Sequence, residues 1–279
     1  MLNMRRTYYI SLSIAGSDSC GGAGIQADLK TFSALGVYGM SAVTAITAQN
    51  TLGVYDIMAV SPSVVRKQIE AVFDDMRPDS LKIGMLFNSD IIEEVSCSLS
   101  SYKANNIVLD PVMISTSGSQ LLENNAIEAM VRKLFPIADL VTPNKYEAEY
   151  ISGKKIVSTD DVLYCGRRIL DLGAKAVLIK GGHFDDDIMT DYLFFSKNQV
   201  PEKFSMQRVA TINSHGTGCT LSSAIAAYLA QGYSMTSAVS QAKKYLNMAL
   251  SYGADIYSGK GHGPVNHFFE PQKLKIKEI

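Results

Sequence analysis

The sequence has no basic excess. Its 26 Lys and Arg residues stand against 27 Asp and Glu in 279 residues, a net charge of -1. A chain built to neutralise a phosphate backbone carries surplus positive charge, so no nucleic-acid partner is expected. No apolar run reaches the roughly 18 residues that a membrane span needs. Met1 to Thr7 carries two arginines but no apolar core and no small-residue cleavage site before Gly16, so no secretory signal is expected. The four cysteines, Cys20, Cys97, Cys165 and Cys219, form no C-x-x-C pair. That spacing excludes zinc-ribbon and thioredoxin-like motifs. A disulfide framework is not expected in a chain this long, which points to reduced thiols and a cytoplasmic setting. The histidines at 183, 215, 262 and 267 never pair at i, i+4, against a zinc site. There is no G-x-x-x-x-G-K-[ST] loop, no G-x-G-x-x-G turn and no G-x-S-x-G elbow. Linkers, repeats and low-complexity tracts are absent too, so one domain over residues 1–279 is expected, with its core at about 8–269.

What is present is alternation. At 47% hydrophobic and 19% charged residues the balance is globular. Short β-rich runs, several of them nearly continuously apolar, read as strands: Tyr8–Ile14, Ala42–Thr47, Ser80–Ile83, Ile107–Leu109, Leu140–Thr142 and Ala176–Ile179. Runs apolar on every residue are the signature of parallel strands covered on both faces. Segments of helical period separate them. Gly24–Leu35 carries Ile25, Leu29 and Phe32 on one face, and Val65, Ile69, Val72, Phe73 and Met76 form another stripe. Ser61-Pro62 reads as a helix cap followed by proline in the first turn. Asn88 or Ser89 caps a further helix, and Ser158 with Asp161 approaches a capping box. The pattern predicts an α/β fold, a doubly wound, mostly parallel sheet with helices on both faces. The tail after Pro271, with Lys273, Lys275 and Lys277, reads as frayed.

In such sheets ligands bind at the carboxyl ends of the strands. The residues following each strand are Gly16-Ser17-Asp18, Gln49-Asn50, Gly84-Met85, Asp110-Pro111, Pro143-Asn144 and Lys180-Gly181-Gly182, a polar and glycine-rich set. His215-Gly216-Thr217-Gly218-Cys219-Thr220 directly precedes a helical pattern. Glycines allow close backbone approach, and the first amides of a helix lack partners, so this turn suits a phosphate or developing negative charge. A glycine-rich turn that only starts a helix satisfies the same residues. Cys219 lies in the first helical turn, which favours the thiolate; a small buried residue is the plainer alternative. Gly21-Gly22 can hinge a loop that closes over a ligand. Asn144 and Glu147, at i, i+3, share a face if a helix begins at Pro143, and their oxygens with Asp110 suit magnesium and its waters. Each is also an ordinary cap or a solvated charge. Lys180, at a strand end beside glycines, can meet a transferred phosphoryl group.

Together these segments resemble the ribokinase-like superfamily, and within it the hydroxymethylpyrimidine/phosphomethylpyrimidine kinases of thiamine biosynthesis. The likeness runs from about Tyr8 to Phe269. It is carried by Ile14–Asp18, Gly21–Thr31, Thr47–Thr51, Lys82–Leu86, Asp110–Met113, Thr142–Asn144, Lys180–His183, His215–Thr220 and Gly259–Gly261, in that order. The resemblance implies a ribokinase-like fold and transfer of phosphate from ATP, with Mg2+, to the pyrimidine's hydroxymethyl group and then to the monophosphate. It implies an anion hole at Gly216, Thr217 and Gly218, with Cys219 as the base where many relatives carry aspartate. It implies Lys180 for charge stabilisation and Asp110, Asn144 and Glu147 for magnesium. Gly16, Asp28, Gln49 and Met85 match the family's pyrimidine pocket, and a homodimer is implied. Pyridoxal kinase, from the same superfamily, is the alternative. Gln49 separates the two, because its amide offers a donor and an acceptor to an aminopyrimidine edge. A non-catalytic binding module and a cysteine hydrolase rank below both.

Overall fold

A computed structural model describes residues 5–113, 121–123, 125–181, 187–196 and 198–278. In chain order the elements are β1 (Arg6–Tyr8), β2 (Ile10–Asp18), α1 (Gly24–Ala34), β3 (Tyr38–Asn50), β4 (Gly53–Ala59), α2 (Pro62–Asp75), β5 (Ser80–Ile83), α3 (Ser89–Ser101) and β6 (Ile107–Leu109). They continue as α4 (Ala126–Lys133), β7 (Leu140–Val141), α5 (Lys145–Ser152), α6 (Thr159–Leu170), β8 (Val177–Ile179), β9 (Ile188–Phe194), β10 (Glu202–Gln207), α7 (Thr217–Ala230), α8 (Met235–Gly253) and β11 (Ile276–Glu278). Nine strands form one sheet in the order β10-β9-β8-β7-β6-β5-β2-β3-β4. From β3 through β2, β5, β6 and β7 to β8 every pairing is parallel. The margins β4, β9 and β10 join antiparallel.

The apolar runs explain this core. In β6, Ile107 and Leu109 enter the cluster shared with α2 to α6, while Val108 faces the cluster shared with α1, α7 and α8. β8 repeats the pattern, with Val177 and Ile179 on one side and Leu178 on the other. Side chains alternate across a strand, so covering both faces requires apolar residues throughout. Helix ends follow their caps. The Asn88 side chain accepts from the Ile91 amide at 3.0 Å, and Ser158 with Asp161 forms a full capping box. Ser61 occupies the cap position ahead of Pro62, but its side chain makes no cap hydrogen bond.

The structure corrects the strand and tail expectations in three places. The first strand does not end at Ile14. A register shift between Ala15 and Ser17 lets it pair with β3 as far as Asp18. Strands β4, β9 and β10 had no apolar run to announce them, because a margin strand is solvated and needs none. The tail is not frayed. Lys275 donates its amide to the Gly36 carbonyl at 2.8 Å, β11 pairs antiparallel with β1, and the Lys277 ammonium pairs with Asp79. Removing residues 272–279 is therefore expected to lower Tm by at least about 2 °C, the scale of a lost kilocalorie per mole in a chain of this size. An unchanged Tm by calorimetry would show that the tail contributes nothing.

Candidate active site

The carboxyl ends of β2, β3, β5, β6, β7 and β8 open on one edge of the sheet, and the start of α7 faces them. Gly216 is the N-cap of α7 and adopts φ 80°, in the left-handed region. A Cβ there would also overlap the Gly22 carbonyl, so only glycine fits this crossing of two loops. Thr217 donates its amide to the Ser214 carbonyl at 3.3 Å, and Thr220 returns to Gly216 at 2.8 Å. Helix geometry leaves the amides of Gly218 and Cys219 without an intrahelical acceptor, and Gly216, at the cap position, has no side chain to supply one. A Cβ on Gly218 would lie 3.5 Å from both Asp110 Oδ2 and Lys180 Nζ. The turn thus faces these two charged side chains.

Lys180 and Asp110 form an ion pair at 2.7 Å, with side chains only 13% and 3% exposed. Asp110 also accepts from Thr142 Oγ1 at 3.2 Å and Ser222 Oγ at 3.3 Å. Burial pushes the Asp110 carboxyl up, but the neighbouring lysines outweigh it and hold the group below the ordinary carboxylate range. Burial disfavours the Lys180 ammonium, yet Asp110 and Glu147 raise its pKa overall. Glu147 is pushed up to about 7 by burial, against the pull of Lys180, with Asp110 adding to the rise. Two buried carboxylates share one lysine here, a hard-oxygen donor set that suits magnesium.

Asn144 is placed differently from the metal-binding expectation. It is the N-cap of α5, and its Oδ1 accepts from the Glu147 amide at 3.0 Å. Glu147 Oε2 accepts in return from the Asn144 amide at 2.7 Å. The i, i+3 spacing is that of a capping box. Asn144 therefore orients Glu147, and its own oxygen is committed. Gly182 and His183, which follow Lys180 in the resembling motif, lie outside the described residues.

Cys219 is partly accessible. The backbone amide of Gly24, at the start of α1, favours its thiolate form. Two helix N-termini therefore meet at this thiol. Burial pushes its pKa up to about 11, against the favourable charge of Lys82.

The expected pocket residues divide. A Cβ on Gly16 would lie 3.0 Å from Met85 Sδ, and Met85 packs with Ala45 and Leu121 beside the partly buried Val54, Ile57, Phe87 and Val112. Gln49 is half-buried; its Oε1 accepts from Thr47 Oγ1 at 3.2 Å, and its backbone exchanges hydrogen bonds with Ser19 Oγ. Asp28 departs from the pocket expectation. It is fully buried, and its carboxylate accepts from Lys82 Nζ at 2.8 and 2.9 Å and from Ser13 and Ser223 hydroxyls at 2.6 Å each. A carboxylate so committed offers a ligand no free acceptor.

The glycine pair Gly21-Gly22 is likewise no free hinge. Asp18 accepts from the amides of Cys20, Gly22 and Ala23 at 2.9, 3.0 and 2.8 Å. Its Oδ2 also bonds His215 Nε2 at 2.8 Å, and Lys30 Nζ donates to the Gly21 carbonyl at 2.8 Å. Burial pushes the Asp18 carboxyl up, but these hydrogen bonds prevail and its pKa falls below the ordinary value. Asp18, Cys20 and His215 bring metal-ligating atoms within 4.8 Å of one another, but the amides and the imidazole already account for the Asp18 oxygens. The Asp18–His215 clip and the Lys82–Asp28 pair are the features that sequence reasoning missed. Their partners stand 197 and 54 positions apart, and no local pattern joins them.

A family model for phosphomethylpyrimidine kinase matches residues 18–266. The hydroxymethylpyrimidine/phosphomethylpyrimidine kinase of Salmonella typhimurium is 46% identical over 259 residues, covering 92% of this chain and 97% of that protein. A thiamine biosynthesis bifunctional protein, ThiED of Geobacter sulfurreducens, is 44% identical over 264 residues, and the chain spans 53% of its length. Among solved structures, phosphomethylpyrimidine kinase from Clostridium difficile 630 is 48% identical with a TM-score of 0.77, covering 86% of this chain and 99% of that one. The Staphylococcus aureus pyridoxal kinase in complex with AMP-PCP and pyridoxal is 35% identical with a TM-score of 0.85, covering 98% of this chain and all of the other. These matches and the ribokinase-like sheet settle the family: the chain belongs to the phosphomethylpyrimidine kinases.

Proposed function

We propose that this chain transfers the terminal phosphoryl group of ATP to the hydroxymethyl oxygen of 4-amino-5-hydroxymethyl-2-methylpyrimidine, and then a second one to the resulting monophosphate, in thiamine biosynthesis. The observation that carries this is the free amide turn at Gly218 and Cys219, facing Lys180 and Asp110 across the sheet edge. Phosphoryl transfer asks the protein mainly for positioning and charge stabilisation, and this edge offers both. Relatives of the same family bear the pyrimidine kinase name at 46% identity, and the similar pyridoxal kinase binds the ATP analogue AMP-PCP.

In this scheme the substrate hydroxyl attacks the γ-phosphorus, the bond to the bridging β,γ-oxygen breaks, and ADP leaves. The hydroxyl proton passes to the Cys219 thiolate. The amides of Gly218 and Cys219, with Gly216 shaping the turn and Thr217 opening the helix, receive the charge of the transferring oxygens. Lys180 neutralises the same charge from the opposite side. Mg2+, held by Asp110 and Glu147 directly or through water, would supply charge neutralisation on the nucleotide phosphates. Asn144 keeps Glu147 in place. Gly16 and Met85 form the apolar bed for the pyrimidine ring, and Gln49 reads its amino edge. A cytoplasmic homodimer belongs to the same proposal. Pyridoxal kinase activity is the second reading, favoured by the TM-score of 0.85 to such an enzyme; Gln49 and the higher identity to pyrimidine kinases speak for the first.

Replacing Cys219 by Ala is expected to lower kcat by about 10²–10⁴-fold, the range of a general base. Near-normal turnover at saturating ATP would remove Cys219 from that role. The thiol's pKa of about 11 fixes the sign of the pH response. Below that value each pH unit raises the thiolate fraction tenfold, so kcat/KM should climb between about pH 7.5 and 9 in the parent enzyme. The residual activity of Cys219→Ala should be flat over that range. A profile of equal slope in both proteins would contradict the assignment.

A further inference from the structure

Proton removal at Cys219 needs a thiolate in a site whose burial opposes it. Beneath that site lies a second, deeper ion pair. Lys82, on β5, is fully buried, and its Nζ donates to both oxygens of Asp28 at 2.9 and 2.8 Å. Asp28, on α1, also accepts from Ser13 on β2 and from Ser223 on α7. Ser223 follows Cys219 by four residues on the same helix, so the two side chains share a face. The Ser223–Asp28 hydrogen bond thereby ties the Lys82–Asp28 pair to the face and turn of α7 that carry Cys219. The strand end keeps room for the ammonium, since a Cβ on Gly84 would lie 2.7 Å from Lys82 Nζ. Replacing a buried ion pair by apolar residues of like volume is often neutral or stabilising, so holding the fold together is a weak reason for this one.

We propose that Lys82 is a positioning residue for Cys219: its ammonium, pinned by Asp28, holds the thiolate form that takes the substrate's proton. The charged groups that act on the thiol are Lys82 from β5, Asp28 from α1, Asp110 after β6 and Lys180 after β8. Lys82 favours the thiolate; Asp28 and Asp110 oppose it, each singly more weakly than Lys82 acts. The Gly24 amide adds to the lysine's effect. This inference rests on Cys219 acting as the base, but it is tested on the thiol itself.

The test is the pH dependence of Cys219 alkylation by iodoacetamide in the full-length protein, followed by mass spectrometry on the peptide that carries it. Only the thiolate reacts. In Lys82→Met, alkylation at pH 8 should slow at least about tenfold, one pH unit in the thiol's titration. In Asp28→Asn, which keeps the cation and removes the opposing anion, it should quicken. Opposite signs are the signature, because a merely structural pair would disturb the thiol in one direction. Shifts of the same sign, or none, overturn the proposal. If circular dichroism shows Lys82→Met unfolded, the double variant Lys82→Met/Asp28→Leu removes both charges and carries the test. Its alkylation should still be slower than in the parent, and an equal or faster rate overturns the inference. A parent enzyme that shows this pattern yet consumes no ATP with either vitamin alcohol would sink the kinase proposal and leave the role of Lys82 standing.

Discussion

Two backbone loops cross within contact distance at Gly216 and Gly22, and the site depends on that crossing. A side chain at 216 would collide with the Gly22 carbonyl, and the left-handed conformation at 216 sets the direction in which α7 starts. The crossing brings the first amides of one helix beside the N-terminus of another, where the Gly24 amide favours the Cys219 thiolate. Aligned helix dipoles place partial positive charge at both ends. The Asp18–His215 bond then locks the two loops together from residues far apart in sequence. The result is a corner whose donors are fixed before any ligand arrives.

Around this corner the charges are layered. Lys180, partly accessible, and the buried Asp110 line the opening. Lys82 and Asp28 lie in the layer below, closed to solvent. Ser222 and Ser223, adjacent on α7, bind one carboxylate each, Asp110 and Asp28 respectively. One helix therefore registers both layers. Glu147 completes the upper layer through its capping box with Asn144, which turns a helix start into a support for a buried acid. Its raised pKa records burial first, with Asp110 adding to the rise and Lys180 opposing it.

The sequence made the central sheet legible because parallel strands covered on both faces leave continuous apolar runs, as in Ile107–Leu109 and Val177–Ile179. Margin strands such as Gly53–Ala59 and Glu202–Gln207 leave no such run, and their pairing is set by tertiary contact. Caps were legible where the side chain bonds within three residues, at Asn88 and Ser158. The same rule explains Asn144, whose spacing to Glu147 fits a capping box and a metal pair equally until geometry chooses. The glycine turn at 216–219 declared itself by composition. The buried position of Asp28 did not, since its four hydrogen bonds come from three other elements. Nor did the docked tail, whose lysines suggested solvent while their stems and backbone find partners on β1 and Gly36.

The central claim is chemical: this corner accepts a phosphoryl group in flight from a nucleotide to a pyrimidine alcohol. Phosphorus NMR of the enzyme with ATP, Mg2+ and 4-amino-5-hydroxymethyl-2-methylpyrimidine tests it most directly. The ATP γ signal should fall as a phosphomonoester grows, followed by a diphosphate ester as the monophosphate is consumed. ATP that stays intact in the presence of the alcohol, or is turned over at the same rate without it, would contradict the account.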